Sequence, residues 1–286
     1  MENGKLMKFS EFLAQEDFNL SLSEALIVLT KDKLAEFGNV VIMAGGAGTG
    51  KGFVVKNLLQ IRGKILDVDA LKTAALKSKK IQGIVKTELG LDLSEFDSRN
   101  PEDVRKLHQI LSVELKLNNK QQQALFSSII TAAPDRKPNL IFDVTLKDMY
   151  KLYNITDAVK QLGYSPENIH IVYVVNDIEV AKAQNKTRDR VVPEEILLST
   201  TLGSATTMKI ILDMGKELQK HMDGAIVVSF NQVGVDTKSV KTDDKHKYVE
   251  YANYVFVKHQ GKPQISSKEL SQEVIQKLSK YIPDVW

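Results

Sequence analysis

Residues 44–53 read AGGAGTGKGF, and this stretch decides how the rest of the chain is interpreted. Gly45, Gly50 and Lys51 fit the pattern G-x-x-x-x-G-K, in which a glycine-rich loop between a strand and a helix cradles phosphate groups. Such a loop normally continues with serine or threonine, because that hydroxyl binds magnesium. Gly52 stands at that place and offers no hydroxyl.

The context favours a phosphate loop (P-loop) over the alternative, a glycine-rich turn that only joins a strand to a helix. An apolar run, NVVIMA at 39–44, precedes the motif, and the helix-like KGFVVKNLLQ at 51–60 follows it. In that setting backbone N–H groups and the positive end of the helix dipole face the phosphates. The predicted phosphate-binding residues are Gly45, Gly46, Ala47, Gly48, Thr49, Gly50, Lys51, Gly52 and Phe53.

Composition excludes several classes of site. The chain has 286 residues, of which 43% are hydrophobic and 26% charged, and it carries a formal charge of +3. It contains no cysteine, which removes disulfides, thiolate metal sites and thiol nucleophiles. Its apolar stretches fall short of the roughly 20 residues that cross a bilayer, and residues 1–12 lack an apolar signal core. We therefore expect a cytoplasmic protein without a membrane partner.

The chain alternates between strand-like and helix-like segments from residue 39 onward. The strand-like runs are continuously apolar rather than alternating, which is typical of strands covered on both faces. This pattern predicts a three-layer α/β domain with a parallel sheet. The predicted strands cover residues 39–44, 64–69, 139–145, 169–175 and 224–230.

Three parts lie outside this alternation. Residues 1–38 read as a helical segment, and a helical insertion with a helix start at Asn100 interrupts the domain. The C-terminal part reads as a small α+β appendage, in which a hairpin turns at Gly261 before a final helix. The predicted organisation is an N-terminal segment at 1–38, a domain at 39–230 with its insertion at 81–136, and an appendage at 231–286.

Carboxylates follow two of the predicted strands. Asp67 and Asp69 come after the second strand, where ligands bind in open α/β sheets, and Asp67 is a candidate for binding the substrate. We assign to Asp69 the role of orienting a hydroxyl and accepting its proton, while the alternative is a helix cap. Asp143 after the third strand is a candidate for positioning a metal through water, and Thr145 for contacting a substrate or phosphate. Both are equally well read as a strand end with an N-cap.

A basic segment lies between the fourth and fifth strands. AQNKTRDRVVPEEIL at 183–197 places Arg188 and Arg190 in a polar break between two helical stretches. We predict a lid at 184–192 that delivers guanidinium groups to the phosphates. A solvated basic loop explains the charges but not their position in the chain.

The motifs GGAGTGKG, DVDALK, FDVT and N-x-x-R-x-R-x-VPEEIL together resemble the P-loop kinases that include zeta toxins and polynucleotide kinases. The resemblance covers residues 39–230 and implies a P-loop kinase fold. It implies that Lys51 contacts the β and γ phosphates of ATP, that Asp69 is the base, and that Arg188 and Arg190 belong to the lid. Lys72 stands where polynucleotide kinases carry an arginine that helps to bind the acceptor phosphate.

The loop also resembles that of adenylate-kinase-like enzymes, in which a glycine follows the lysine and Mg²⁺ is held largely through waters and the nucleotide. Mg²⁺ tolerates this arrangement because it keeps several waters and takes only one or two protein ligands. We therefore expect an ATP- and Mg²⁺-dependent kinase that phosphorylates a hydroxyl. A polynucleotide acceptor is favoured slightly over a nucleotide or nucleotide sugar. A nucleotide-binding regulator or an ATPase is the alternative.

Overall fold

The computed structural model describes most of the chain at the level of individual residues. The described residues are 26–30, 36–67, 76–188, 191–241 and 247–286.

A seven-stranded sheet organises the fold, with the strand order β2-β3-β1-β4-β5-β7-β6. The first five strands in this order run parallel, β7 is antiparallel to β5, and β6 is antiparallel to β7. The five predicted strands are confirmed. The strands are β1 Val40–Ala44, β2 Lys64–Asp67, β3 Leu140–Asp143, β4 Ile169–Val175, β5 Ile226–Phe230, β6 Thr237–Lys241 and β7 Lys247–Lys258.

Helices cover both faces of the sheet. Every residue of β1 is buried; Val40 and Ile42 pack into one apolar cluster, whereas Val41 and Met43 pack into another. Because successive side chains of a strand point to opposite faces, these clusters are the two interfaces of a three-layer α/β fold, as predicted. The α-helices within the described residues are α1 Lys51–Asn57, α2 Lys79–Leu89, α3 Pro101–His108, α4 Leu117–Ile130, α5 Met149–Gln161, α6 Ile178–Lys186, α7 Glu194–Asp213 and α8 Gln272–Tyr281.

The predicted insertion is helical and has a small core of its own. The side chain of Asn100 accepts a hydrogen bond from the Glu102 N–H at 2.9 Å, which caps α3 where the sequence predicts a helix start. The helix passes into a π-helical turn at Gln109–Glu114 before α4. The buried apolar residues of this core are Val85, Leu93, Leu107, Ile110, Leu111 and Leu115.

The C-terminal residues extend the sheet. The turn predicted at Gly261 is present, and Ile265 N after it donates to Val257 O at 2.7 Å, but no second strand follows among the described residues, so the predicted hairpin is incomplete. Strand β7 continues unbroken to Lys258 because it pairs with β5 on one side and β6 on the other. Gly261 lies in a turn beyond the strand, at φ 65°. The short polar run TKSVK at 237–241 gave no strand signal, since an edge strand needs little apolar character. The predicted final helix is present as α8.

The helical segment predicted over 1–38 is not helical where the structure describes it, at 26–30 and 36–38. Ile27 is in extended pairing with Leu59, and its N–H donates to Leu58 O at 2.6 Å. Phe37 forms a second isolated bridge, with Pro138. The remainder of 1–38 lies outside the described residues. Among the described helices, none is long and apolar enough to span a membrane.

Candidate active site

The motif at 45–51, here called the P-loop, connects β1 to α1, which is the strand–loop–helix setting that the motif requires. Gly45, Gly48 and Gly50 have φ angles of 136°, 81° and 89°. Residues with a Cβ rarely adopt such angles, so glycine lets the loop curl back over the end of the strand. Helix α1 then begins at Lys51.

Neighbouring side chains approach the loop so closely that two of its glycines have no room for a Cβ. A Cβ on Gly46 would lie 2.0 Å from Thr201 Oγ1, and one on Gly50 would lie 1.9 Å from Asn231 Nδ2. A Cβ on Gly52, in contrast, would meet nothing within 4 Å. The missing hydroxyl at position 52 therefore has no steric cause.

The ammonium group of Lys51 lies inside the curve of the P-loop. It donates to Gly45 O and Gly46 O, both at 3.0 Å, and it lies 4.0 Å from Asp143 Oδ1. Both side chains are mostly buried, with 12% and 17% of their surface exposed. A cation is thus held where phosphate oxygens would lie against the loop, beside a carboxylate.

Asp143 has a second carboxylate beside it. Asp67 and Asp143 are register partners at the carboxyl ends of β2 and β3. The Thr145 carbonyl accepts a hydrogen bond from Gly45 N at 3.1 Å, which ties the segment after β3 to the P-loop. Mg²⁺ is commonly bound through one or two carboxylates together with substrate phosphates and waters. The pair therefore fits an indirectly held Mg²⁺, although no group of three or more His, Asp or Glu residues in the described ranges is placed to hold a metal.

Two residues that form hydrogen bonds to the P-loop are not predicted by the sequence analysis. Thr200 Oγ1 on α7 accepts from Ala47 N at 3.2 Å, and Asn231 Nδ2 after β5 donates to Thr49 O at 2.9 Å. The run of small residues STTLGSATT at 199–207 is a signal for close packing of α7. The position of Asn231 directly after a buried strand is the other signal, because side chains there reach the sheet edge that binds ligands.

Asn176 and Asn231 are buried neighbours at this edge. Asn176 follows β4, and Asn231 N donates to Val175 O at 2.8 Å, which continues the pairing of β4 with β5. Asn176 Nδ2 lies 3.4 Å from Gln184 Oε1 of α6. Within the described part of the chain, neither asparagine Oδ1 atom has a hydrogen-bond partner. Each is therefore an acceptor that a ligand or a water can satisfy.

The predicted lid begins on a helix that touches the P-loop. A Cβ on Gly48 would lie 3.0 Å from Ala181 O of α6. Asn185 connects the two ends of the predicted lid, because its side chain donates to Val192 O at 2.7 Å and accepts from Val192 N at 3.0 Å. Arg188 is exposed in the turn after α6, where its N–H donates to Asn185 O at 3.3 Å. Its role in the lid stays a prediction.

Three further predicted site residues lie outside the described ranges. They are Asp69, Lys72 and Arg190. Their roles stay predictions.

No protein-family model and no curated protein matches the chain. Among solved structures, a chain of the AvrRxo1-ORF1:AvrRxo1-ORF2 complex with sulphate ions matches with a TM-score of 0.50 and 14% identity. The match covers 86% of this chain but only 65% of that one. The same complex with ATP matches with a TM-score of 0.48 and 13% identity, covering 86% of this chain and 64% of that one.

A structure of the PezAT toxin–antitoxin system of Streptococcus pneumoniae matches at 0.36 and 13%, covering 87% of this chain and 86% of that one. At 14% identity the first match shows a similar fold, in agreement with the predicted three-layer α/β architecture.

Proposed function

We propose that the protein is a kinase that transfers the γ-phosphate of ATP to an acceptor hydroxyl in a Mg²⁺-dependent reaction. The observation that carries this proposal is the position of the mostly buried Lys51 side chain, whose ammonium lies within the P-loop and 4.0 Å from Asp143. A cation fixed before the substrate arrives stabilises charge on a transferring phosphoryl group without reorganising at the moment of reaction. We place the reaction in the cytoplasm.

The residues at the sheet edge would divide the work between them. The P-loop amides and Lys51 would bind the β and γ phosphates, and Asp143 with Asp67 would hold Mg²⁺ through its waters. Bound there, Mg²⁺ supplies positive charge that offsets the charge on the phosphate oxygens. Gly52 adds no hydroxyl ligand, which is consistent with indirect coordination.

Asp69 is proposed as the base on the acceptor side. The acceptor oxygen forms a bond to the γ-phosphorus, the bond between that phosphorus and the oxygen of ADP breaks, and the acceptor proton passes to the Asp69 carboxylate. Arg188 and Arg190 are proposed to reach the transferring group from the lid when substrate is bound. Lys72 and Thr145 are proposed to contact the acceptor.

For the acceptor we favour a polynucleotide, through a 5′-hydroxyl group or a modified base, on the resemblance of the sequence motifs alone. A nucleotide or nucleotide sugar is the second candidate. The observation that favours it is Lys72, because the arginine that polynucleotide kinases carry there is replaced. Lysine lacks the bidentate fork with which arginine binds phosphate.

The test is transfer of label from γ-labelled ATP with Mg²⁺ to parallel pools of 5′-hydroxyl DNA and RNA, base-modified DNA, nucleotides and nucleotide sugars. We expect label in one pool and its loss in Asp69→Ala. The control is Asp135→Ala, which removes an exposed carboxylate of the insertion. If the protein releases free phosphate without transferring it to any acceptor, and Asp69→Ala does so at the same rate, the protein is an ATPase and not a kinase. If it binds ATP without turnover, it is a nucleotide-binding regulator.

A further inference from the structure

The turn at 231–236, between β5 and β6, connects the P-loop to the C-terminal helix. Asn231 is the first residue of this turn and is hydrogen-bonded to the P-loop backbone, because its Nδ2 donates to Thr49 O at 2.9 Å. The same amide fills the space that a Cβ on Gly50 would need. The side-chain direction of Asn231 therefore bears on the backbone whose N–H groups would bind phosphate.

At the other end of the turn, Asp236 is completely buried and surrounded by donors. Its carboxylate accepts from Tyr281 Oη at 2.6 Å and from Gln232 N at 3.1 Å, and it forms an ion pair with Lys277. Its backbone N–H donates to Gln232 O at 2.7 Å. A buried carboxylate is tolerated only with such pairing, and the pairing holds both ends of the turn against α8.

Helix α8 also contacts Phe230 and Gln232, the two residues that flank Asn231. The Lys277 ammonium lies 4.7 Å from the centre of the Phe230 ring, and the Tyr281 ring packs edge-on against Phe230 at 6.0 Å. Tyr281 Oη lies 2.8 Å from Gln232 Oε1. Burial, followed by the hydrogen bond to Asp236, raises the pKa of Tyr281, so the hydroxyl keeps the proton that it donates.

We propose that Asp236, Lys277 and Tyr281 are positioning residues for the P-loop, which they hold through Asn231. Helix α8 would then act on the binding of the nucleotide phosphates through the turn at 231–236. That the ligand of the P-loop is ATP rests on the proposed function. That these residues fix the position of the P-loop does not. The proposal assigns a role to the C-terminal part of the chain.

The first measurement is amide hydrogen exchange of residues 44–53 without nucleotide, in Tyr281→Phe and in Tyr164→Phe. Tyr164 is a matched control, because it is another buried tyrosine whose hydroxyl donates a hydrogen bond, to Pro138 O at 2.6 Å. It lies near the amino ends of the parallel strands, whereas the P-loop lies at their carboxyl ends. We expect exchange of the P-loop segment to quicken about threefold to tenfold in Tyr281→Phe only, the effect of one buried hydrogen bond on local opening. Equal quickening in both variants, or none in either, overturns the proposal.

The second measurement is ATP·Mg²⁺ affinity by calorimetry in Tyr281→Phe, Asn231→Ala and the double variant. If Tyr281 acts through Asn231, the double variant binds ATP no more weakly than Asn231→Ala alone. Additive losses would show that Tyr281 acts by another route and would overturn the proposal. If the wild type does not bind ATP, the proposed function fails, and hydrogen exchange alone then decides whether α8 positions the loop.

Discussion

The two ends of the five parallel strands are built differently. At the edge where the strands begin, here called the amino edge, buried polar groups bond to one another. Asn39 N donates to Asn139 Oδ1 at 2.9 Å, and His170 Nδ1 accepts from Ala225 N at 2.9 Å, while its Nε2 lies 3.4 Å from Asn39 Oδ1. These groups satisfy each other within the chain, so this edge contributes to stability.

The carboxyl edge, where the strands end, is arranged for a ligand. Its loop uses glycine at positive φ, its lysine lies beside a carboxylate, and two buried amide oxygens have no partner in the described ranges. Buried polar atoms without a hydrogen-bond partner destabilise a fold unless a ligand or a water supplies the missing hydrogen bond. The same strands thus end in mutually bonded polar groups on one side and in the proposed binding site on the other.

The largest expected effect comes from removing the lysine of the carboxyl edge. Lys51→Ala takes away the cation inside the P-loop, so we expect kcat/KM for phosphoryl transfer to fall about 10²–10³-fold, as for loss of one preorganised charge-stabilising group. The measurement is initial rates with the acceptor identified by label transfer. Lys56→Ala, an exposed lysine on the same helix, is the control and should match the wild type. Equal activity of both variants would contradict the site.

The second prediction concerns the amino edge and pH. Burial, and next the charge of Lys258, lower the pKa of His170 to about 3. An unfolded histidine titrates near a pKa of about 6.5, so below that pH the unfolded chain binds a proton that the folded chain does not. This contribution is complete above pH 6.5 and is lost as the pH falls towards 3. Between pH 7 and pH 5 the free energy of unfolding should fall by about 2 kcal/mol from this group.

Urea unfolding at both pH values measures this loss. His170→Asn keeps an acceptor for Ala225 N but does not titrate, so it serves as the control for all other ionisable groups. We expect the variant to be less stable at pH 7 and to lose about 2 kcal/mol less than the wild type between pH 7 and pH 5. The same pH slope in both proteins would mean that the amino edge does not hold a neutral histidine.

A third prediction compares two glycines of the carboxyl edge. Gly50→Ala places a Cβ against Asn231 at a φ of 89°, so it should destabilise the fold by about 1–2 kcal/mol and weaken ATP binding. Gly52→Ala meets open space inside a helix and should stabilise by about 0.5–1 kcal/mol. Thermal unfolding and calorimetry with ATP measure both effects. If the two variants behaved alike, the contact between Asn231 and the P-loop would be absent.

The smallest effect is expected from restoring the missing hydroxyl. Gly52→Ser has room for its side chain and would offer Mg²⁺ the ligand that P-loops commonly supply. We expect the Mg²⁺ concentration for half-maximal activity to drop about twofold to fivefold, because Mg²⁺ gains one protein ligand. Gly52→Ala is the control. An equal shift in the alanine variant would point to the helix and not to the metal.

The parts of the fold that could be predicted are those with a local signal. Continuous apolar runs identified all five parallel strands, and the glycine pattern identified the loop after β1. The local signals at Thr200 and Asn231 do not say what these residues contact, because they meet the P-loop across 153 and 182 residues of sequence. Their contacts depend on strand order, which a periodic pattern does not specify.

The C-terminal part was predicted less well for a related reason. The turn at Gly261 is local and is present, but the strands that pair with β7 are β5 and β6 and not the segment after the turn. That pairing depends on long-range contacts, which the local sequence does not specify. The two halves of the proposed chemistry also differ. Lys51 and Asp143 are placed together by adjacent strands, whereas Asp69 rests on the sequence alone.

The contrast between the two edges is tested most directly by amide hydrogen exchange of the wild-type protein with and without ATP and Mg²⁺. We expect slower exchange at residues 44–53 when ATP is added, and no change at 169–171 on the amino edge. Unchanged exchange at 44–53, or protection confined to another part of the chain, would contradict the claim that the carboxyl edge binds the nucleotide.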